Sequence, residues 1–373
     1  MRSFLVHPRP WLWVVAAAGM AATAWFVWAP SPPAPPDRGQ SPGSTLDRIV
    51  LTEFNEQGEK IWELTARTAE YQEESRVTVV TQVAGKFFRN GKPIIEATGE
   101  GGTVNQNNRE IVIRGSVRAV SLEEKAIVTA EQMVWQADLD VLTATGKLKL
   151  EQPDRGLRIS GKVLRARPSQ SEFAIEDNAE ATVAKPPLKF IGPALIWNAA
   201  KNTVTAPFPF GVRETAQDLR VRADQGMWDI GSGRIAFRGQ VRARAPRFAL
   251  EVNTAESFWD IAQQRIVLPT ALTATDQGRG ISLRATQGEV NFAGDRLVLT
   301  GEVAARALSP QADIQADRIE WAIPSQEVVA TGGVRYRQAE RDLDVAGERA
   351  VANLLANTVQ VTGADVMTQI TLE

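Results

Sequence analysis

Apolar and polar residues alternate along this chain in short stretches, and the stretches recur. Four and two residues ahead of a usually small residue sit apolar side chains: Trp62 and Leu64 before Ala66, Ile95 and Ala97 before Gly99, Leu157 and Ile159 before Gly161, Leu188 and Phe190 before Gly192. Alternation of period two puts one apolar face on a β-strand. The anchor recurs at Ala66, Gly99, Ala130, Gly161, Gly192, Ala223, Val252, Ala285, Ala316 and Gly347, a unit of about 31 residues repeated ten times. A fixed period of that length marks stacked copies of one supersecondary unit rather than a compact enzyme core.

Five residues after the anchor comes an aromatic or other apolar side chain, as at Tyr71, Val104, Trp135, Trp197, Trp228 and Trp321. In the Val252 unit the slot is blurred between Phe258 and Trp259. Five is odd, so the apolar face must switch between anchor and slot, which a β-bulge or sharp bend accomplishes. Polar turns follow, such as Asn105–Asn108 and Asp229–Gly233. A second alternating strand comes next, with glycine at one register: Ile111, Ile113, Gly115, Val117; then Leu142, Ala144, Gly146, Leu148. Strands joined by short turns run antiparallel. The spacing therefore predicts an all-β, elongated antiparallel β-jelly roll of about twenty strands in one continuous meander, on the order of 90–100 Å long at roughly 4.8 Å per strand. Pro168, and Pro207 with Pro209, predict interruptions or twists of the sheet.

Ahead of the repeats, Trp11 to Ala29 is an uncharged run long enough, at roughly 28 Å, to form a transmembrane helix. Trp11 and Trp13 mark one interface, Trp25 and Trp28 the other. Arg2 and Arg9 precede the run and no cation follows until Arg38, so the N-terminal stub, residues 1–10, is expected in the cytoplasm. A cleaved signal peptide is the alternative, but Pro30 directly after Ala29 disfavours cleavage and the run exceeds the usual 7–15-residue signal core. Residues 30–45, rich in proline, read as a semi-rigid polyproline spacer.

Composition removes several chemistries. There is no cysteine, and the single histidine is His7, ahead of the membrane run. Disulfides, thiol catalysis, histidine bases and histidine metal ligands are thereby excluded beyond the membrane. No metal or other cofactor is expected. Lysine and arginine number 42 against 44 acidic residues, a net charge of −2 that gives no drive towards nucleic acid. The catalytic constellations left are carboxylate pairs, Asp138/Asp140 and Asp342/Asp344, as in glycoside hydrolysis; solvated turn residues are the simpler reading. Arg220, Arg222, Arg242, Arg244 and Arg247 form a basic cluster on one strand face, read either as an outer face that blunts strand pairing or as a contact for lipid phosphates.

A sheet with one apolar face must bury it. The side chains expected to line the interior are Trp62, Leu64, Tyr71, Ile95, Val104, Ile111, Ile113, Val117, Val128, Trp135, Leu142, Ile159, Phe173, Phe190, Trp197, Trp228, Phe237 and Trp321. Large aromatics at some slots and Ala or Gly at others leave two outcomes open, a filled core or an apolar groove. The ends of an open stack, near Leu46–Glu53 and Thr358–Glu373, offer edge strands to a partner.

One membrane helix, a short linker and then Phe54-x₃-Gly58-x₃-Trp62-x-Leu64-x-Ala66-x₂-Ala69-x-Tyr71 resemble the start of an LptC periplasmic domain. Gly91-Lys92-Pro93-Ile94-Ile95-x-Ala97 and Ile111-x-Ile113-x-Gly115-x-Val117 extend the likeness over residues 1 to about 180. The later repeats resemble the wider OstA-type β-jelly roll of LptC, LptA and the periplasmic part of LptD. The resemblance implies no catalysis and a place in the inner membrane. Its implied partners are the permease subunits of an ABC transporter, lipopolysaccharide whose acyl chains enter the apolar groove, and another β-jelly-roll bridge protein joined through edge strands. It divides the repeats into an LptC-like jelly roll, 46–187, and additional units, 188–373, about twice the usual number; the extra units are expected to extend the bridge. A structural β-repeat scaffold without lipid transport is the alternative.

Overall fold

The alternating stretches are β-strands whose buried residues share a face, and the face changes midway along each strand. In the strand Leu157–Arg167 the buried residues are Leu157 and Ile159, then Leu164 and Ala166. Odd positions give way to even ones where the pairing register shifts between Ser160 and Val163. The bulge therefore keeps both halves of a bent strand apolar on the inside. On several other strands the left-handed bulge position is glycine, as at Gly115 (φ 76°) and Gly146 (φ 80°). An added Cβ there would lie 2.6 Å from Glu100 Oε2 and 2.5 Å from Glu131 Oε2, so both backbone conformation and space demand glycine.

The computed structural model describes residues 45–371 apart from 217, 247, 248, 310, 357 and 364–366. The stub expected in the cytoplasm, the expected anchor with Trp11, Trp13, Trp25 and Trp28, the linker up to residue 44, and Arg247 lie outside the described residues. Among the described residues no helix is long and apolar enough to cross a membrane.

Ten strands open the array: β1 (Thr45–Phe54), β2 (Lys60–Gln72), β3 (Val77–Arg89), β4 (Lys92–Asn105), β5 (Glu110–Ser121), β6 (Ile127–Gln136), β7 (Val141–Gln152), β8 (Leu157–Arg167), β9 (Glu172–Val183) and β10 (Leu188–Asn198). Each pairs antiparallel with the next. The meander then divides. β11 (Thr203–Ala206) and β12 (Phe210–Glu214) both pair with β10; β13 (Leu219–Ala223) and β14 (Gln225–Asp229) rejoin at β15 (Arg234–Ala245). The same happens after β16 (Leu250–Asp260), through β17 (Arg265–Leu268), β18 (Leu272–Asp276), β19 (Ile281–Ala285) and β20 (Gln287–Asn291). β21 (Arg296–Leu308) reunites the two branches. β22 (Gln311–Ala322), β23 (Glu327–Gln338), β24 (Leu343–Asn353), β25 (Thr358–Thr362) and β26 (Met367–Thr371) complete the sheet.

Among the described residues the sheet thus has 26 strands against about twenty expected, and four of the extra ones arise because four strands are each cut in two. The cuts fall at Pro207–Pro209, at Asp224, at Pro269–Ala271 and at Thr286. Proline lacks the N–H that a continuous ladder needs, which accounts for the first and third. Pro168 causes no such break. It opens a 3-10 turn, Pro168–Gln170, in the hairpin between β8 and β9, whose pairing runs from Leu157↔Val183 to Arg167↔Glu172.

The bends bring the two halves of the sheet together. Phe190, before the bulge of β10, stacks on Trp228, after the cut, at 5.2 Å between ring centroids. Phe87 on β3 meets Trp135 on β6 edge to face at 5.6 Å. One hydrophobic cluster runs from Trp62 to Val361.

Candidate functional site

The interior is built by strand register. Each inward side chain has its neighbours set by the pairing, as Trp197 opposite Phe173 and Val204, or Trp321 opposite Leu297 and Val328. Of the residues expected inside, Trp62, Leu64, Ile95, Val104, Ile111, Ile113, Val117, Val128, Leu142, Ile159, Phe173, Phe190, Trp197, Trp228, Phe237 and Trp321 are all buried. Trp135 is half-buried against the cluster. Tyr71 departs from the expectation. It follows buried Ala69 by two residues yet is 49% exposed, because the pairing with β1 ends at Thr45 opposite Glu70 and, among the described residues, no strand covers Tyr71 on that side.

Through the first six units aromatic pairs occupy the interior. Phe173 stacks on Trp197 at 5.0 Å and Phe210 on Phe237 at 5.8 Å. Such pairs contribute about 0.5–1.5 kcal/mol beyond the area they bury. Trp197 and Phe237 are 0% exposed.

The last units differ. Between β19 and β25 lies a cavity of about 460 Å³. Its walls include Leu283, Ile314, Ile319 and Val359, and also Ala305, Ala307, Ala312 and Ala352. The alanines make the room: Ala352 occupies the slot that Trp197, Trp228 and Trp321 fill elsewhere. A cavity of this size and apolar character falls within the roughly 300–1,000 Å³ of ligand pockets. Both outcomes left open by the sequence therefore occur, a packed core first and an apolar chamber later.

Arg279, Ser309 and Asp313 stand among the lining residues, and Tyr336 and Trp321 bring polar atoms to the aromatic part of the wall. Tyr336 donates its hydroxyl hydrogen to Gln338 Oε1 at 3.4 Å. Burial pushes that phenol above its ordinary value, so it stays a neutral donor. Trp321 also lines the chamber and its indole N–H has no acceptor. The same is true of Trp62, Trp197 and Trp228. An unpaired buried donor costs about 1–3 kcal/mol. A ligand oxygen reaching Trp321 would recover part of that.

The carboxylate pairs do not form a catalytic site. Asp138 pairs with Arg109 at 3.2 Å, and Asp140 accepts the Ser169 backbone N–H at 3.0 Å. Asp344 accepts from Arg335 at 2.9 and 2.7 Å and from Arg337 at 3.1 Å. The Arg335 bonds first, then Arg337, hold its carboxyl down to about 2. A general acid needs the opposite shift. Among the described residues no group of three or more His, Asp or Glu could hold a metal ion.

Phe87, Phe210 and Tyr336 are interior residues that the slot pattern did not single out, and in the Val252 unit it is Trp259 rather than Phe258 that is buried. Phe87 was readable from the alternation Val83, Gly85, Phe87; Phe210 stands behind Pro209, where the pattern breaks.

A single antiparallel sheet bent over an apolar interior, packed at one end and chambered at the other, defines an elongated β-jelly roll with an internal apolar cavity. Residues 13–184 match the family model described as lipopolysaccharide-assembly, LptC-related. No curated protein matches the chain.

Proposed function

We propose that the chain is a component of the lipopolysaccharide export path, anchored in the inner membrane with its β-array in the periplasm. The observation that carries this reading is the apolar chamber beside Trp321, at the far end of an array that begins as an LptC-related domain. The chamber takes acyl chains, with the Trp321 N–H offered to an ester or amide oxygen. The protein performs no reaction; an ABC transporter, met through the anchor and its permease subunits, supplies the energy. Edge strands β1 and β26, each paired on one side only among the described residues, are the places for a neighbouring β-jelly roll. Leu46, Val50 and Phe54 on β1 are at least half exposed, which favours apolar contact there.

The test is photo-crosslinking in living cells. A crosslinker at Ile314 or Trp321 captures lipopolysaccharide on this reading. A chain truncated after Pro187 keeps its transporter association but fails to pass lipid outward, since units 188–373 extend the bridge. A second reading, a structural scaffold, is favoured by the dense packing of the first six units. Capture nowhere along the interior, or full export by the truncated chain, decides for the scaffold.

A further inference from the structure

The outer face of the sheet carries a feature that lipid tails do not use. Where β10, β12, β13 and β15 lie side by side, cations stand directly opposite cations. Lys189 faces Arg213, Arg213 faces Arg220, and Arg220 faces Arg244. In the adjoining row Arg222 faces Arg242. Like charges opposite each other across a sheet disfavour the pairing. The arrangement does not blunt an edge either, because these strands are paired on both sides.

Local carboxylates answer only part of this charge. Arg213 and Arg220 share Asp218, at 3.0 and 3.1 Å. Arg242 and Arg244 share Glu251, at 3.3 and 2.8 Å. Lys189 has Glu180 at 2.7 Å. Among the described residues Arg222 makes no ion pair or hydrogen bond, and neither does Lys162 on β8 close by. Asp177 and Asp224 lie on the rim, so the groove keeps a positive excess.

Lys162, Lys189, Arg213, Arg220, Arg222 and Arg242 line a groove of about 1230 Å³, opened where the meander divides at Pro209. Pro193 and half-exposed Ile191 give it an apolar wall. A bilayer surface is broad and cannot enter such a concavity; a few linked rings can. Guanidinium groups take phosphate oxygens two at a time, and an apolar wall suits the C–H face of a sugar.

We propose that this groove binds a phosphorylated saccharide, the headgroup portion of the lipid whose tails enter the interior. In naming that source the proposal rests on the export reading above. Arg222 and Arg242 form its centre, with Arg213 and Arg220 on one side and Ile191 against a ring.

The experiment uses the full chain in detergent and calorimetry with four probes: deacylated lipopolysaccharide saccharide carrying its phosphates, the same saccharide after phosphatase, inorganic phosphate, and anionic phospholipid vesicles. The deacylated probe has no tails, so its binding is independent of the interior. The phosphorylated saccharide should bind, and the double variant Arg222→Gln/Arg242→Gln should weaken it at least tenfold. Arg158→Gln, on the same outer face in β8, should leave it unchanged. The double variant should melt no lower than the parent, since it removes a like-charge opposition; a purely structural role for these arginines would lower the melting point. Equal affinity in the double variant, equal binding after phosphatase, inorganic phosphate as tight as the saccharide, or vesicle binding in place of saccharide binding each overturns the proposal. Failure of acyl crosslinking at Ile314 while the saccharide still binds would sink the tail path and leave this site standing.

Discussion

Replacing Ala305 with leucine distinguishes a real chamber from an incidental gap. Ala305 sits in β21 opposite Leu283 on one side and Ile314 on the other, and all three line the cavity. Leucine adds three carbons, about 2.4 kcal/mol if fully buried at about 0.8 kcal/mol each. Ala305 is only partly buried, so roughly half of that, about 1 kcal/mol, is the expected gain. In a repeat array each unit contacts chiefly its neighbours, so a local readout is the sharper one for a gain of this size. Amide hydrogen exchange in β21 and β22 reports local opening. A gain of about 1 kcal/mol slows exchange there about fivefold. The same leucine occupies space meant for an alkyl chain, so capture of lipopolysaccharide by a crosslinker at Ile314 should fall several-fold. Faster exchange, in line with the about 1–3 kcal/mol cost of overpacking, would mean that no usable space exists. Slower exchange with undiminished capture would mean that the chamber is real and carries no lipid.

Gly226→Ala should destabilise the divided region by about 1–3 kcal/mol, since an added Cβ would lie 2.2 Å from Phe210 Cζ and 2.9 Å from the Ala236 carbonyl oxygen. The Phe210 ring is stacked on Phe237, so it has little room to yield; local exchange in β14 and β15 measures the loss, and an unchanged rate would refute the close approach. Asp344 titrates near 2 when folded, below its ordinary 3.8, so the unfolded chain takes up the proton first as pH falls. Its contribution is therefore present above about pH 4 and lost between about pH 4 and pH 2. Thermal melts of the parent and Asp344→Asn should differ at neutral pH and converge near pH 2; a gap that persists there would contradict the Arg335 and Arg337 pairing.

Much of the fold was legible because the repeat is a local device. Trp62-x-Leu64-x-Ala66 states in five residues which face is inward, and Gly115 or Gly146 marks the bulge that a side chain would obstruct. The division of the meander was half legible. Pro207 and Pro209 pointed to a break, but Pro269 was not singled out, and Pro168 proved to be a turn residue. A proline says that one N–H is missing; whether a ladder needed that N–H depends on the strand beside it. Tyr71 was misjudged for a related reason, since parity gives the face and not how far the neighbouring strands extend.

The sequence by itself determined a β-array built on a repeat of about 31 residues with one apolar face, and no histidine or thiol chemistry after His7. Period and alternation are properties of neighbours along the chain. The tertiary structure decided which side chains share the interior at each level: Phe190 stacks on Trp228 in one place, while Ala305, Ala307, Ala312 and Ala352 line one cavity in another. It also set Arg222 opposite Arg242, residues twenty positions apart whose like charges face each other only because β13 and β15 pair.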